Sequence, residues 1–136
     1  MKLETKLTAA PAWLKLAVSH LPMDKVGKRL HTSALQNYNQ QRSPAGIPWI
    51  PSLRAEKEGG KTLIDTGLML ASLTYVSGAD WAEVGYPRRA KNIPAWLHYG
   101  VRQNNLPPRE HLGVREEDKT VIADIMRRHF EDLLRG

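Results

Sequence analysis

Leu73-Thr74-Tyr75-Val76-Ser77-Gly78-Ala79-Asp80-Trp81-Ala82-Glu83-Val84-Gly85 decides the fold class of this chain. Two runs with β-branched and aromatic residues, Leu73–Val76 and Trp81–Gly85, flank the four-residue turn Ser77-Gly78-Ala79-Asp80. Short strands joined by a glycine-bearing turn form a β-hairpin, here about residues 73–86. Helical periodicity lies on both sides of it. The chain therefore reads as α+β: a small, mainly antiparallel sheet packed with N-terminal helices and a long C-terminal helix.

Downstream of the hairpin, Asn92 to Gly100 predicts a helix of one to two turns carrying Ile93, Trp96 and Leu97 and stopped by Gly100. Arg102 to Pro107 is a polar loop. The clearest element is a helix from about Glu116 to Leu134, with Val121, Ile122, Ile125, Met126, Phe130, Leu133 and Leu134 in one apolar stripe. Glu116, Glu117 and Asp118 open it and Arg127, Arg128 and Arg135 close it, in keeping with the helix dipole.

Upstream, Thr62-Leu63-Ile64 reads as a short strand, and Leu68–Ala71 as a brief helical turn capped by Asp65 or Thr66. Val26, Leu30, Ala34 and Tyr38 recur every four residues and predict a helix from about Met23 to Asn39, which Gly27 weakens slightly. An earlier helix enters through Pro11 and ends at Leu21-Pro22. Between Asn39 and Gly60 the pattern collapses. Pro48 and Pro51 hold their predecessors extended, and Glu56-Lys57-Glu58-Gly59-Gly60 reads as an exposed, mobile tip. One domain, residues 1–136, results. Its helical N-terminal region covers residues 1–40, an extended Pro/Gly loop 41–61, a β-rich region 62–114 and a C-terminal helix 115–135.

At 136 residues, 41% apolar and 25% charged, the chain suits a single core. Lysine and arginine exceed aspartate and glutamate by 20 − 14 = 6. That balance permits contact with a polyanion, but basic residues run no longer than the pairs Arg88-Arg89 and Arg127-Arg128, as on a solvated surface. Absence of cysteine excludes disulfide scaffolds, thiolate metal sites and cysteine nucleophiles. Lys2, Lys6, Lys15 and Pro11 interrupt any secretory apolar core, and no apolar run approaches the roughly 20 residues that span a bilayer. A soluble protein with no membrane association is expected.

Proline and glycine shape three further stretches. Pro44-Ala45-Gly46-Ile47-Pro48-Trp49 sets one large aromatic in a stiffened loop, where Trp49 anchors a partner subunit, folds back as a lid on its own core, or does both. Asp65-Thr66-Gly67 echoes aspartic proteases but lacks their second carboxylate and strand pattern. Pro107-Pro108-Arg109-Glu110-His111-Leu112-Gly113 reads as an extended strand whose prolines block ladder bonding at its start and suit an edge or a crossing between elements, with Arg109 placed to grip a carboxylate within the fold or across a subunit boundary, the former by default. His98, His111 and His129 match no zinc spacing and read as surface or half-buried residues. Gly59-Gly60-Lys61-Thr62 ends like a phosphate loop, but Ala55 stands where its first glycine must be. No cofactor, metal or catalytic constellation is expected, and the chain does not read as an enzyme.

The order of these stretches resembles the phage virion morphogenesis family from about Leu30 onward. The resemblance rests on Pro44, Gly46, Pro48 and Trp49, on Leu63, Thr66, Gly67, Leu70 and Ser72-Leu73, and on Val84-Gly85. His98-Tyr99-Gly100, Pro108-Arg109 and Leu112-Gly113 complete it. His111 replaces a commoner aromatic, and Arg115 stands where a serine or threonine usually caps the last helix. What the resemblance implies is a structural virion protein of a phage or prophage tail, made and assembled in the host cytoplasm. Its role would be tail completion and head–tail joining through a ring of identical subunits. The implied partners are further copies of itself, tail tube and head-connector proteins, and DNA passing through the bore. Exposed loops carrying Pro48, Trp49, Ile50, Asn104 and Asn105, together with Arg109, are the expected contacts. The competing reading is a small basic nucleic-acid-binding domain that stacks bases on Trp and Tyr.

Overall fold

The computed structural model describes residues 2–4, 19–64 and 67–135, with backbone only at Lys2–Glu4 and Arg89. Helix α1 (Met23–Gln40) organises the fold. It buries Met23, Val26, Leu30, Ala34 and Tyr38 along one stripe, joined by Ser33 and Asn37. Helices α2 (Leu53–Glu58), α3 (Leu68–Ser72), α4 (Ile93–Tyr99) and α5 (Glu116–Arg135) follow in chain order. Strands β1 (Lys2–Glu4), β2 (Thr74–Ser77) and β3 (Trp81–Gly85) form an antiparallel sheet in the order β1-β3-β2.

The hairpin stands where the sequence puts it. Tyr75 faces Val84 and Ser77 faces Ala82, and the Gly78 N–H donates to the Trp81 carbonyl at 2.9 Å. Along β3, Ala82 and Val84 are buried while Glu83 is exposed, the alternation of a half-covered sheet. Those two side chains and Leu73 meet the α1 stripe, and Ile122, Ile125 and Met126 of α5 pack around the same core.

Gly27 has a packing role the sequence reading missed. A Cβ there would lie 2.5 Å from Cδ2 of Tyr75, so the absence of a side chain lets β2 approach α1. Helix propensity yields to close contact at this position.

Four local expectations need correction. The N-terminal region is not wholly helical, because Lys2–Glu4 pairs with β3 (Leu3 opposite Ala82). Ser19 and His20 form a turn rather than helix, and the rest of the expected first helix lies outside the described residues. The charged tip is an ordered helix, α2. Ser52 Oγ accepts the Ala55 N–H at 3.1 Å, and Gly59 closes the other end in the left-handed region. Thr62-Leu63 is the turn of a narrow loop bridged between Lys61 and Ile64, not a strand. Gly67 occupies the cap position of α3 at φ 80°, and the expected cap from Asp65 or Thr66 lies outside the described residues.

At the start of α5, Asp118 replaces the missing cap. Its buried carboxylate accepts the Arg115 N–H at 2.8 Å, reaching back one turn as in a capping box. It also accepts Ser33 Oγ at 2.6 Å and Arg29 Nε at 2.8 Å, which fastens α5 to α1. Arg115 adds bonds to Gln36 and Gln40, each at 3.0 Å.

Candidate assembly surface

The loop after α1 is stiff for reasons beyond its prolines. Ser43 N–H bonds to the Ile47 carbonyl at 2.8 Å, Gly46 N–H to Ser43 at 2.9 Å, and Trp49 N–H to Gln41 at 2.8 Å. Gly46 sits at φ 85°, the left-handed conformation the turn requires. Gln41 then clamps the neighbouring loop. Its side-chain amide takes the Thr62 N–H at 2.8 Å and donates to the Thr62 carbonyl at 3.0 Å, as a strand partner would.

Trp49 adopts the within-fold alternative. It is only 7% exposed, its ring meets Tyr38 edge-on at 5.7 Å, and its Nε1–H donates to the Glu110 carbonyl at 2.7 Å. The outward positions are its neighbours. Ile47 is 66% and Ile50 60% exposed, and Pro48 is exposed between them. Trp49 is thus the pin, and Ile47, Pro48 and Ile50 are the presented surface.

The segment Pro107–Gly113 is extended but forms no strand. Pro107 and Pro108 have no N–H to give, and side chains take the place of a ladder. Arg109 N–H bonds to the Leu97 carbonyl at 2.9 Å, His111 N–H to His98 Nδ1 at 3.2 Å, and the His111 carbonyl accepts Asn37 Nδ2 at 3.0 Å. A Cβ on Gly113 would lie 2.8 Å from Pro44 Cγ, so the two loops cross where a side chain would clash.

His111 is fully buried, contrary to the surface or half-buried expectation. Its ring lies among Tyr38, Tyr86 and His98, with centroids 5.1–5.8 Å away. Nδ1–H donates to the Arg109 carbonyl at 2.9 Å, which leaves Nε2 as a buried lone pair with no partner among the described residues. Burial pushes its pKa down to about 4. His98 is lowered by burial as well, against the pull of Glu110. The Tyr38 and Tyr86 hydroxyls share a 2.5 Å hydrogen bond. Desolvation raises Tyr38 to about 12 and raises Tyr86 too, so both stay neutral. These groups act as packed donors and acceptors, and among the described residues no cluster of three or more metal-ligating side chains occurs.

Arg109 is 5% exposed and uses Nε to donate to the Ile50 carbonyl at 2.7 Å. The expected carboxylate partner within the fold does not occur among the described residues; a carbonyl takes its place. Asn104 and Asn105 are exposed on a loop closed by reciprocal bonds between Val101 and Leu106 (2.9 and 3.0 Å). Asn105 takes the left-handed conformation at φ 54°, one that asparagine tolerates. Leu106 and Arg109 line one pocket, so Ile50, Arg109 and the Asn104-Asn105 loop belong to one region.

Sequence reasoning missed the exposure of α4, whose Ile93, Trp96 and Tyr99 point outward together with Leu68 of α3. Four large apolar side chains on two short helices are thus left open to solvent. Among the described residues no helix is long and apolar enough to cross a membrane.

The chain thus combines a small α+β core with braced loops whose apolar tips are exposed. The profile of the phage virion morphogenesis family matches residues 2–131, and the chain belongs to that family. Its role is a structural one in building the phage particle. No curated protein and no solved structure matches the chain.

Proposed function

We propose that this protein completes the phage tail, as a ring of identical subunits that terminates the tube and joins it to the head. The observation that carries the reading is the pinned loop in a chain of this family. Trp49 is locked inward, so Ile47, Pro48 and Ile50 stand out on a backbone that loses little freedom when it docks. Head-to-tail contacts between identical subunits close into a ring when the rotation per subunit divides a full turn. One face of such a ring meets the last tube ring through these loops and the other meets the head connector. DNA passes through the bore.

Deletion of the gene tests this directly. The expected outcome is unjoined heads and tails in lysates viewed by electron microscopy, restored by the wild-type gene in trans. Normal infectious particles from the deletion would refute the reading.

A further inference from the structure

We propose that the stretch Val84–Arg109, built around α4, binds duplex DNA through its phosphates, and that Arg88, Lys91 and Arg102 carry the contact. This rests on the ring reading above and adds which part of the subunit lines the bore.

The charge surplus of the chain is gathered in this one stretch. No Asp or Glu occurs between Glu83 and Glu110, while Arg88, Arg89, Lys91, Arg102 and Arg109 all do. The rest of the chain then holds 20 − 5 = 15 basic residues against 14 acidic ones and is nearly balanced. The fold makes the stretch a single unit. Arg88 and Lys91 stand just before α4 and Arg102 just after it. Reciprocal bonds between Val101 and Leu106 turn the next loop back, and the Arg109 N–H ties the end of the stretch to Leu97 of α4.

Elsewhere cations are answered by acids: Lys28 by Asp24, Arg29 by Asp118, Lys119 by Glu116, and Arg127 and Arg128 by Asp124. Arg88, Lys91 and Arg102 are exposed and have no ion pair among the described residues. Lys91 carries a second signal. It is held at φ 54° and ψ −134°, a conformation that strains an L side chain and suits glycine. Local folding favours glycine there, so the lysine is explained by its charge.

The pattern of charge selects the occupant. A protein surface mixes carboxylates with cations, and a patch that fits one carries both signs in return. Duplex DNA presents a regular row of phosphates, which only cations and neutral donors can meet. Asn92, Tyr99 and Asn104 are exposed on the same unit and are residue types that supply such neutral donors to phosphate and sugar. Contacts of this kind read no sequence and let the protein slide, as DNA moving along a bore requires.

The test is fluorescence anisotropy of a short labelled duplex with the full-length protein across a salt series. The wild type is expected to bind with a Kd of roughly 1–100 μM, the non-specific range. Arg88→Gln/Lys91→Gly/Arg102→Gln should bind at least about tenfold more weakly, and its slope of log K against log salt should be shallower by roughly three. Lys91→Gly alone should melt at or above the wild-type temperature yet flatten the slope by about one, which separates charge from folding. Lys28→Gln/Lys57→Gln/Lys119→Gln removes as much charge elsewhere and should keep the wild-type slope. Equal losses in the two triple variants would mean diffuse attraction to net charge and would overturn the proposal. So would polyglutamate that competes as well as duplex, which would make the occupant an acidic protein. Tighter binding of a single strand, abolished by Trp96→Ala, would replace phosphate contact with base stacking and overturn it too. If the wild type caps tail tubes but binds no duplex at low salt, this proposal fails and the ring reading stands. If the three substitutions around α4 abolish DNA binding while the wild type leaves tube ends bare, the DNA surface stands and the ring reading fails.

Discussion

The two halves of this molecule are held together by different forces. Where α1 meets the sheet and α5, apolar side chains interlock and one buried carboxylate ties the helices. Around residues 41–64 and 98–113, polar side chains bond to backbone: Gln41 to Thr62 within the first stretch, Trp49 to Glu110 and Arg109 to Ile50 between the two, and Asn37 of α1 to His111. Burial supplies stability in the first half. In the second, hydrogen bonding fixes shape, so that loops without regular structure keep their apolar tips turned outward.

The largest effect should come from the junction in the first half. Asp118→Ala removes the acceptor shared by Ser33, Arg29 and the Arg115 N–H, and leaves a half-buried arginine unpaired. A loss of about 3–5 kcal/mol is expected, seen as a fall in Tm of roughly 10 °C or more. A Tm within about 2 °C of wild type would mean that α5 is secured by apolar packing alone.

Acid should then act on the second half. The folded pKa of His111, about 4, lies below its ordinary 6.5, so the unfolded chain binds the proton more tightly between those values. Stability is therefore full above about pH 6.5 and falls as the pH drops toward 4, by roughly 3 kcal/mol. His98, also lowered, acts in the same direction. His111→Phe keeps an aromatic ring but removes the titrating group, and should flatten most of this slope in denaturant titrations across the window. An unchanged slope would place its origin elsewhere.

Trp49→Phe keeps an aromatic against Tyr38 but leaves the Glu110 carbonyl without its donor. It should cost about 1 kcal/mol in urea unfolding and raise proteolytic cutting within 41–51. The smallest effect on stability, within about 0.5 kcal/mol, belongs to the double variant Ile47→Ser/Ile50→Ser. Both side chains are exposed, so the variant should fold normally and lose function only through assembly.

The same division separates what the sequence discloses from what it conceals. Hairpin, α1 and α5 were legible because turn chemistry and a four-residue apolar recurrence are local signals. Strand β1 was not, since three residues at the start of the chain gain their identity only by pairing with Trp81–Glu83. Helix α2 carried its own punctuation in Ser52 and Gly59, but its charge and the glycine pair suggested a loose tip. Asp118 read as a dipole partner because Ser33 and Arg29, its actual partners, are 85 and 89 residues away. The extended reading of Pro107–Gly113 matched the backbone, and its two prolines, which block ladder bonding, suit the crossing between elements that the segment makes. The inward placement of Trp49 is set by Tyr38 and the Glu110 carbonyl, which no local signal around Trp49 discloses. Of the expected contacts, Pro48, Ile50, Asn104 and Asn105 lie at the surface, whereas Trp49 and Arg109 are buried beneath it.

The most direct trial of the central claim mixes purified protein with tail tubes from particles lacking it and images the tube ends by electron microscopy. The account predicts a ring on the tube end with the wild-type chain and bare ends with folded Ile47→Ser/Ile50→Ser. Wild-type protein that leaves every tube end bare, or a double variant that caps them equally well, would contradict it.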